Sequence, residues 1–151
     1  MRALALLFLL LAATPGLVPP GQAQERFQTD SLEVETATGR HRFTVELAIT
    51  PAQQAQGLMF RRQMPADHGM LFPYHPPQPA AFWMRNTYLP LDMVFIGPDR
   101  RVTGIAERTV PLSEATVPSP GPVIGVLELN GGTARRIGLK PGDTVIWRGW
   151  R

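Results

Sequence analysis

Residues 80–96 run Ala80-Ala81-Phe82-Trp83-Met84-Arg85-Asn86, then Thr87-Tyr88-Leu89-Pro90, then Leu91-Asp92-Met93-Val94-Phe95-Ile96. Two apolar runs flank a four-residue loop containing Pro, the pattern of an antiparallel hairpin. With Asn86 facing Leu91, the register sets Arg85 opposite Asp92, Met84 opposite Met93, Trp83 opposite Val94 and Phe82 opposite Phe95. One face then carries Phe82, Met84, Met93 and Phe95; the other carries Trp83, Arg85, Asp92 and Val94. A one-residue slip breaks the Arg85–Asp92 charge pair, so the register is testable.

Outward from this stretch, short strands and turns dominate. Leu32 and Val34 alternate with Glu33 and Glu35, and Phe43, Val45, Leu47 and Ile49 alternate with Arg42, Thr44, Glu46 and Ala48. With a turn at Thr38-Gly39-Arg40 this predicts a hairpin. Thr50-Pro51-Ala52-Gln53 is a helix start with a capping box, and the helix is expected over about 51–61. Residues 64–79 read as irregular, with a short strand at 69–72 and an extended loop forced by Pro73, Pro76, Pro77 and Pro79. Gly97-Pro98-Asp99-Arg100 is a tight turn into a strand at 101–108. A Pro-rich linker at 111–122 precedes a strand at 123–129 that is apolar enough to be buried on both faces. A short helix over 133–137 closes at Gly138, and Pro141-Gly142-Asp143 turns into a last strand at 144–148. The fold class is therefore mainly β: a small barrel or sandwich of short antiparallel strands with one or two short helices.

Composition narrows the chemistry. The 151 residues contain no Cys, which excludes a disulfide scaffold, a Cys nucleophile and thiolate metal ligation. Residues 1–23 read as a secretory signal peptide: Arg2, an apolar run over 3–13, helix breakers at Pro15, Gly16, Pro19 and Pro20, and small residues at Gly21 and Ala23. Cleavage is expected after Ala23, giving a periplasmic or extracellular protein with a flexible stretch at 24–30 and a single β-rich domain over 31–151. No other segment approaches a membrane span. The formal net charge is only +3, and the Arg residues are scattered as pairs without a basic run, which argues against nucleic acid as a partner.

Gly57-Leu58-Met59-Phe60-Arg61, Gly69-Met70-Leu71-Phe72, Phe82-Trp83-Met84-Arg85-Asn86-Thr87, Leu89-Pro90-Leu91-Asp92, Val126-Leu127-Glu128-Leu129 and Gly142-Asp143 occur in that order. This succession closely resembles the domain-of-unknown-function family 192, small domains often found behind bacterial signal peptides. The resemblance covers about 30–148 and implies a β-rich fold with a small helical element and no established activity. It carries over Met59, Arg61, Met70, Trp83, Met84, Arg85, Asn86 and Asp92.

The chain lacks a zinc-binding His-Glu-x-x-His helix, a Gly-x-Ser-x-Gly elbow, a phosphate loop and a dinucleotide fingerprint, so no catalytic residue is assigned. The leading candidate is a binding surface on the 83–92 hairpin. There Arg85, Asn86 and Asp92 can bind a carboxylate, phosphate or sugar hydroxyl, with Trp83 and Tyr88 as a stacking face and Met59, Arg61, Met70 and Met84 nearby. The structural alternative makes Arg85–Asp92 an ion pair and Asn86 a turn cap. A second candidate is copper held by Met64, His68, Met70 and His75, since thioether and imidazole suit Cu(I). A third is an envelope carbohydrate-active enzyme, which needs two carboxyls facing one cleft from among Asp92, Glu107 and Glu128. The expectation is a non-catalytic, monomeric binding domain without a cofactor, taking a small-molecule or envelope ligand.

Overall fold

The computed structural model describes residues 24–150; the signal peptide read at 1–23 lies outside the described residues. The elements run β1 (Gln28–Thr36), β2 (Gly39–Leu47), α1 (Pro51–Gln56), β3 (His68–Phe82), β4 (Leu91–Ile96), β5 (Val102–Thr109), β6 (Val117–Asn130), α2 (Thr133–Ile137) and β7 (Thr144–Ile146). The strands form one seven-stranded sheet, ordered β5-β4-β6-β3-β2-β1-β7, which curls into a half-barrel. A bridge between Arg101 and Thr144 ties the two edge strands together at one end, with Val102 N–H donating to Asp143 O and Val145 N–H to Arg100 O. Among the described residues no helix is long and apolar enough to cross a membrane.

Side-chain alternation gives the sheet two buried faces. Leu32, Phe43, Leu71, Val94, Leu127 and Leu129 fill one core, closed by Ile137 of α2. Met70, Phe72, Met93, Phe95 and Val126 point the other way, into a second core with Leu58, Met84 and Leu91. Covering both faces is why β4 and the middle of β6 read as continuous apolar runs.

Local signals resolve much as the sequence predicts. β1 and β2 pair antiparallel from Thr36↔Gly39 to Gln28↔Leu47. Strand β1 begins inside the stretch expected to be a flexible N-terminus, and Glu25 N–H donates to Gln56 Oε1 at 2.8 Å. The capping box of α1 forms as read, with Thr50 accepting from Gln53 N–H. The helix stops at Gln56 rather than near 61, because Gly57 takes φ +48° and turns the chain. Helix α2 spans the expected residues and closes at Gly138, φ +68°.

The 80–96 hairpin does not form. β3 ends at Phe82, residues 83–90 form a loop, and β4 lies between β5 and β6. Both edges of β4 are thus occupied by later strands, Met93 pairing with Glu128 on one side and with Ala106 on the other. Arg85 and Asp92 are consequently not partners. The Pro-rich segments are also corrected: 73–79 continues β3, and β6 starts at Val117 within the expected linker. The two pair irregularly, with register shifts between Pro73 and Gln78 and between Pro79 and Ala81. Pro118, Pro120 and Pro122 alternate, so their missing N–H groups fall on one side of β6, and β4 lies beside β6 only from Gly125 onward.

Candidate functional site

Strand alternation decides where Glu128 goes. Leu127 and Leu129 enter the inner core, so Glu128 faces the opposite side, directly across from Met70 on β3 and Met93 on β4. Both methionines are fully buried, and Glu128 itself is 4% exposed. Its carboxyl has no ion pair or hydrogen-bonding partner among the described residues, and burial alone pushes it up to about 8. The group is therefore largely a neutral acid at pH 7.

Above it lies a cavity of about 320 Å³. Helix α1 and the turn after it supply Gln54, Gln56 and Met59; β3 supplies Phe72, Tyr74 and Phe82; the following loop supplies Trp83 and Thr87. Burial, together with the neighbouring Glu128, raises the Tyr74 hydroxyl to about 12, so it stays protonated as a donor. Gln56 Oε1 accepts from Glu25 N–H, which leaves its buried Nε2 without a partner. Phe72 and Phe82 meet edge to face with ring centroids 5.0 Å apart.

The rim is built where three loops meet. Phe60 N–H donates to Asn86 O at 2.9 Å, Leu112 N–H to Thr87 O at 3.1 Å and Met84 N–H to Ser113 O at 2.8 Å. Asn86, at φ +54°, places its amide 3.9 Å from Met59 Sδ. Phe60, Trp83, Tyr88, Val110 and Leu112 are left exposed on these loops. Arg85 lies over the Trp83 ring and Arg62 over that of Tyr88, each at 5.4 Å.

The sequence-derived candidates thus divide. Trp83, Asn86, Tyr88, Met59 and Arg85 do gather at this rim. Among the described residues Arg85 faces the carboxylate of exposed Glu114 at 3.8 Å and makes no ion pair with Asp92. Met84 is buried and takes a 3.1 Å contact from the Thr109 hydroxyl. Arg61 binds Glu46, Nη1 to Oε1 at 2.7 Å, with its guanidinium over Phe27 at 5.7 Å. That half-buried clamp joins the turn after α1 to β2, so Arg61→Ala is expected to cost about 1–3 kcal/mol in urea unfolding. Met64 and Met70 pack in the second core, His68 bonds Asp67, and His75 lines a separate cavity with Trp147 and Trp150.

Asp92 is corrected most sharply. It is fully buried, pairs with Leu129 and so points to the face opposite Glu128. Its Oδ1 accepts from Arg108 N–H at 2.8 Å, its Oδ2 from Ala134 N–H at 2.8 Å, and Gly132 N–H reaches both at 2.9 Å. Glu107 is exposed on β5. The paired-carboxylate cleft is therefore not assembled, because neighbouring strand positions send the two buried acids to opposite faces.

The DUF192 family model, described as Uncharacterized ACR, matches residues 33–147. Among solved structures, one from Sinorhizobium meliloti 1021, described as a candidate transcription regulator, is 49% identical, covers 82% of this chain and 96% of its own, and superposes with a TM-score of 0.78. A protein of unknown function from Novosphingobium aromaticivorans DSM 12444 is 48% identical over 90% of this chain and 94% of its own, with a TM-score of 0.79. No curated protein matches the chain.

Proposed function

The chain belongs to the DUF192 family, and from that footing we propose that it is an exported, non-catalytic binding domain whose site is the Glu128 cavity and the aromatic 83–90 loop beside it. One observation carries this reading: a buried carboxyl without a protein partner lies against a cavity walled by aromatic rings. The carboxyl opens onto this cavity, where a ligand can meet it, and the buried Gln56 Nε2 beside it lacks a partner. A binding role also fits a cavity holding one carboxyl, since Asp92 is engaged on the other face. A transcription-regulator role, as described for the Sinorhizobium relative, does not suit this chain. The basic residues here are dispersed, and α1 and α2 have six and five residues, too short for a groove-reading helix.

Protein-observed NMR with a set of small aromatic and polar fragments tests the site. Shifts are expected to gather at Trp83, Phe82 and Gln56. Shifts gathering instead at Trp147 and Trp150, which wall a separate and larger cavity of about 550 Å³, would overturn the assignment. Export is tested separately: the mature chain recovered outside the cytoplasm is expected to begin at Gln24.

A further inference from the structure

We infer that the Glu128 cavity takes an alkylammonium group, held by the Glu128 carboxylate and flanked by the rings of Tyr74, Phe82 and Trp83; this rests on the binding reading above. Charge selects the sign of the ligand. Among the described residues no Arg, Lys or His lines the cavity, and Glu128 is its only acid. An anion would find counter-charge only at the rim, where Arg85 lies over Trp83, while a cation inside meets the Glu128 carboxyl, which no described residue pairs. The rings of Tyr74, Phe82 and Trp83 line the same cavity and offer a cation aromatic contacts, as Trp83 already does to Arg85 at 5.4 Å on the rim. At about 320 Å³ the cavity is at the small end for ligand sites, which suits one amine or one side chain and not a glycan or a folded partner.

Binding then has a proton balance. In the empty cavity the acid is neutral. As the ammonium enters, the carboxyl O–H bond breaks, the proton passes to the buffer, and the carboxylate pairs with the ligand N–H groups. The groups facing Glu128 do not share this titration. β3 offers Met70 and Tyr74, β4 Met93, α1 Gln54 and Gln56, and the 83–90 loop Trp83 and Thr87, with Tyr74 protonated up to about 12. About one proton is therefore released per ligand at pH 7, and affinity rises roughly tenfold per pH unit until about pH 8.

The test is calorimetry and NMR on the wild-type chain with benzylammonium, benzyl alcohol and phenylacetate, each titrated in two buffers of different ionisation enthalpy. Benzylammonium is expected to bind at one site, to shift Trp83 but not Trp147 or Trp150, and to exceed benzyl alcohol at least tenfold, with phenylacetate weakest. Glu128→Gln is expected to weaken benzylammonium at least tenfold and benzyl alcohol by a much smaller factor. Nα-acetyl-lysine methylamide provides the second arm: tighter binding than benzylammonium assigns the ammonium to a peptide side chain, weaker binding to a free amine. Equal binding of alcohol and ammonium at Trp83, or unchanged benzylammonium binding by Glu128→Gln, overturns the cation while leaving the binding cavity in place. If none of the probes shifts Trp83, both readings fall.

Discussion

Asp92→Ala is expected to lower the unfolding free energy by about 4 kcal/mol or more, against less than about 1 kcal/mol for Asp99→Ala. The contrast lies in what each carboxyl holds. Asp99 accepts one 3.2 Å bond from Arg101 N–H in an exposed turn. Asp92 satisfies three backbone donors from two places far along the chain. Opposite it, the β4–β5 register shifts between Leu91 and Met93, so β5 carries a bulge, and the Arg108 N–H freed by that bulge goes to Asp92. At the start of α2 no local side chain caps the helix, and Asp92 does so from β4. Truncation leaves three donors orphaned at a joint between β5, β6 and α2. Asp92→Asn, which retains one acceptor oxygen, is expected to fall between wild type and Asp92→Ala. Unfolding free energies of Asp92→Ala and Asp99→Ala from urea titration that agree within about 1 kcal/mol would show that this latch contributes nothing.

The Asp92 latch also marks where local reading of the sequence stops. Elements whose signal is local were legible: the β1–β2 alternation, the Thr50/Gln53 capping box, and α2 closing at Gly138. The 80–96 hairpin does not form because neighbours along the chain are not neighbours in the sheet here, β4 lying between β5 and β6. Leu91 to Ile96 is buried at every position, the mark of a strand with neighbours on both edges and layers on both faces, and its partners come from 102–109 and 125–130. A charge-complementary spacing suggested Arg85 for Asp92; backbone N–H groups, which sequence does not advertise, supply the actual partners. Proline content likewise hid the long β3–β6 pairing, which accommodates it through register shifts. Glu128 had a signal, an acid inside an apolar strand, but which face it takes follows only from the alternation of β6 between two cores. Gln56, Tyr74, Phe82 and Trp83 come from α1, β3 and a loop, and only the tertiary fold brings them to one cavity.

Glu128 makes wild-type stability fall as pH rises from about 4.5 to about 8, and Glu128→Gln is expected to abolish that fall. The sign follows from proton counts. The carboxyl titrates at its ordinary 4.5 when unfolded and at about 8 when folded, so between these values the folded chain binds more protons than the unfolded one. Stability contributed by the neutral acid is fully present below pH 4.5 and is lost progressively up to pH 8. At about 1.4 kcal/mol per unit the loss amounts to about 3–5 kcal/mol, the lower figure allowing for water entering the cavity. Asp30 and Asp67 act in the opposite sense and in another range. Trp147 N–H and Ser31 N–H hold Asp30 low, and His68 holds Asp67 low, so their contributions are lost only as pH falls below about 4. Every other titrating group is common to both chains, and the difference between wild type and Glu128→Gln therefore isolates this one carboxyl. Urea unfolding at pH 5, 7 and 9 is expected to find the two chains close at pH 5 and the Gln variant the more stable at pH 9. Parallel profiles would mean that the carboxyl stands in water, and the cation site argued from its isolation would lose its basis.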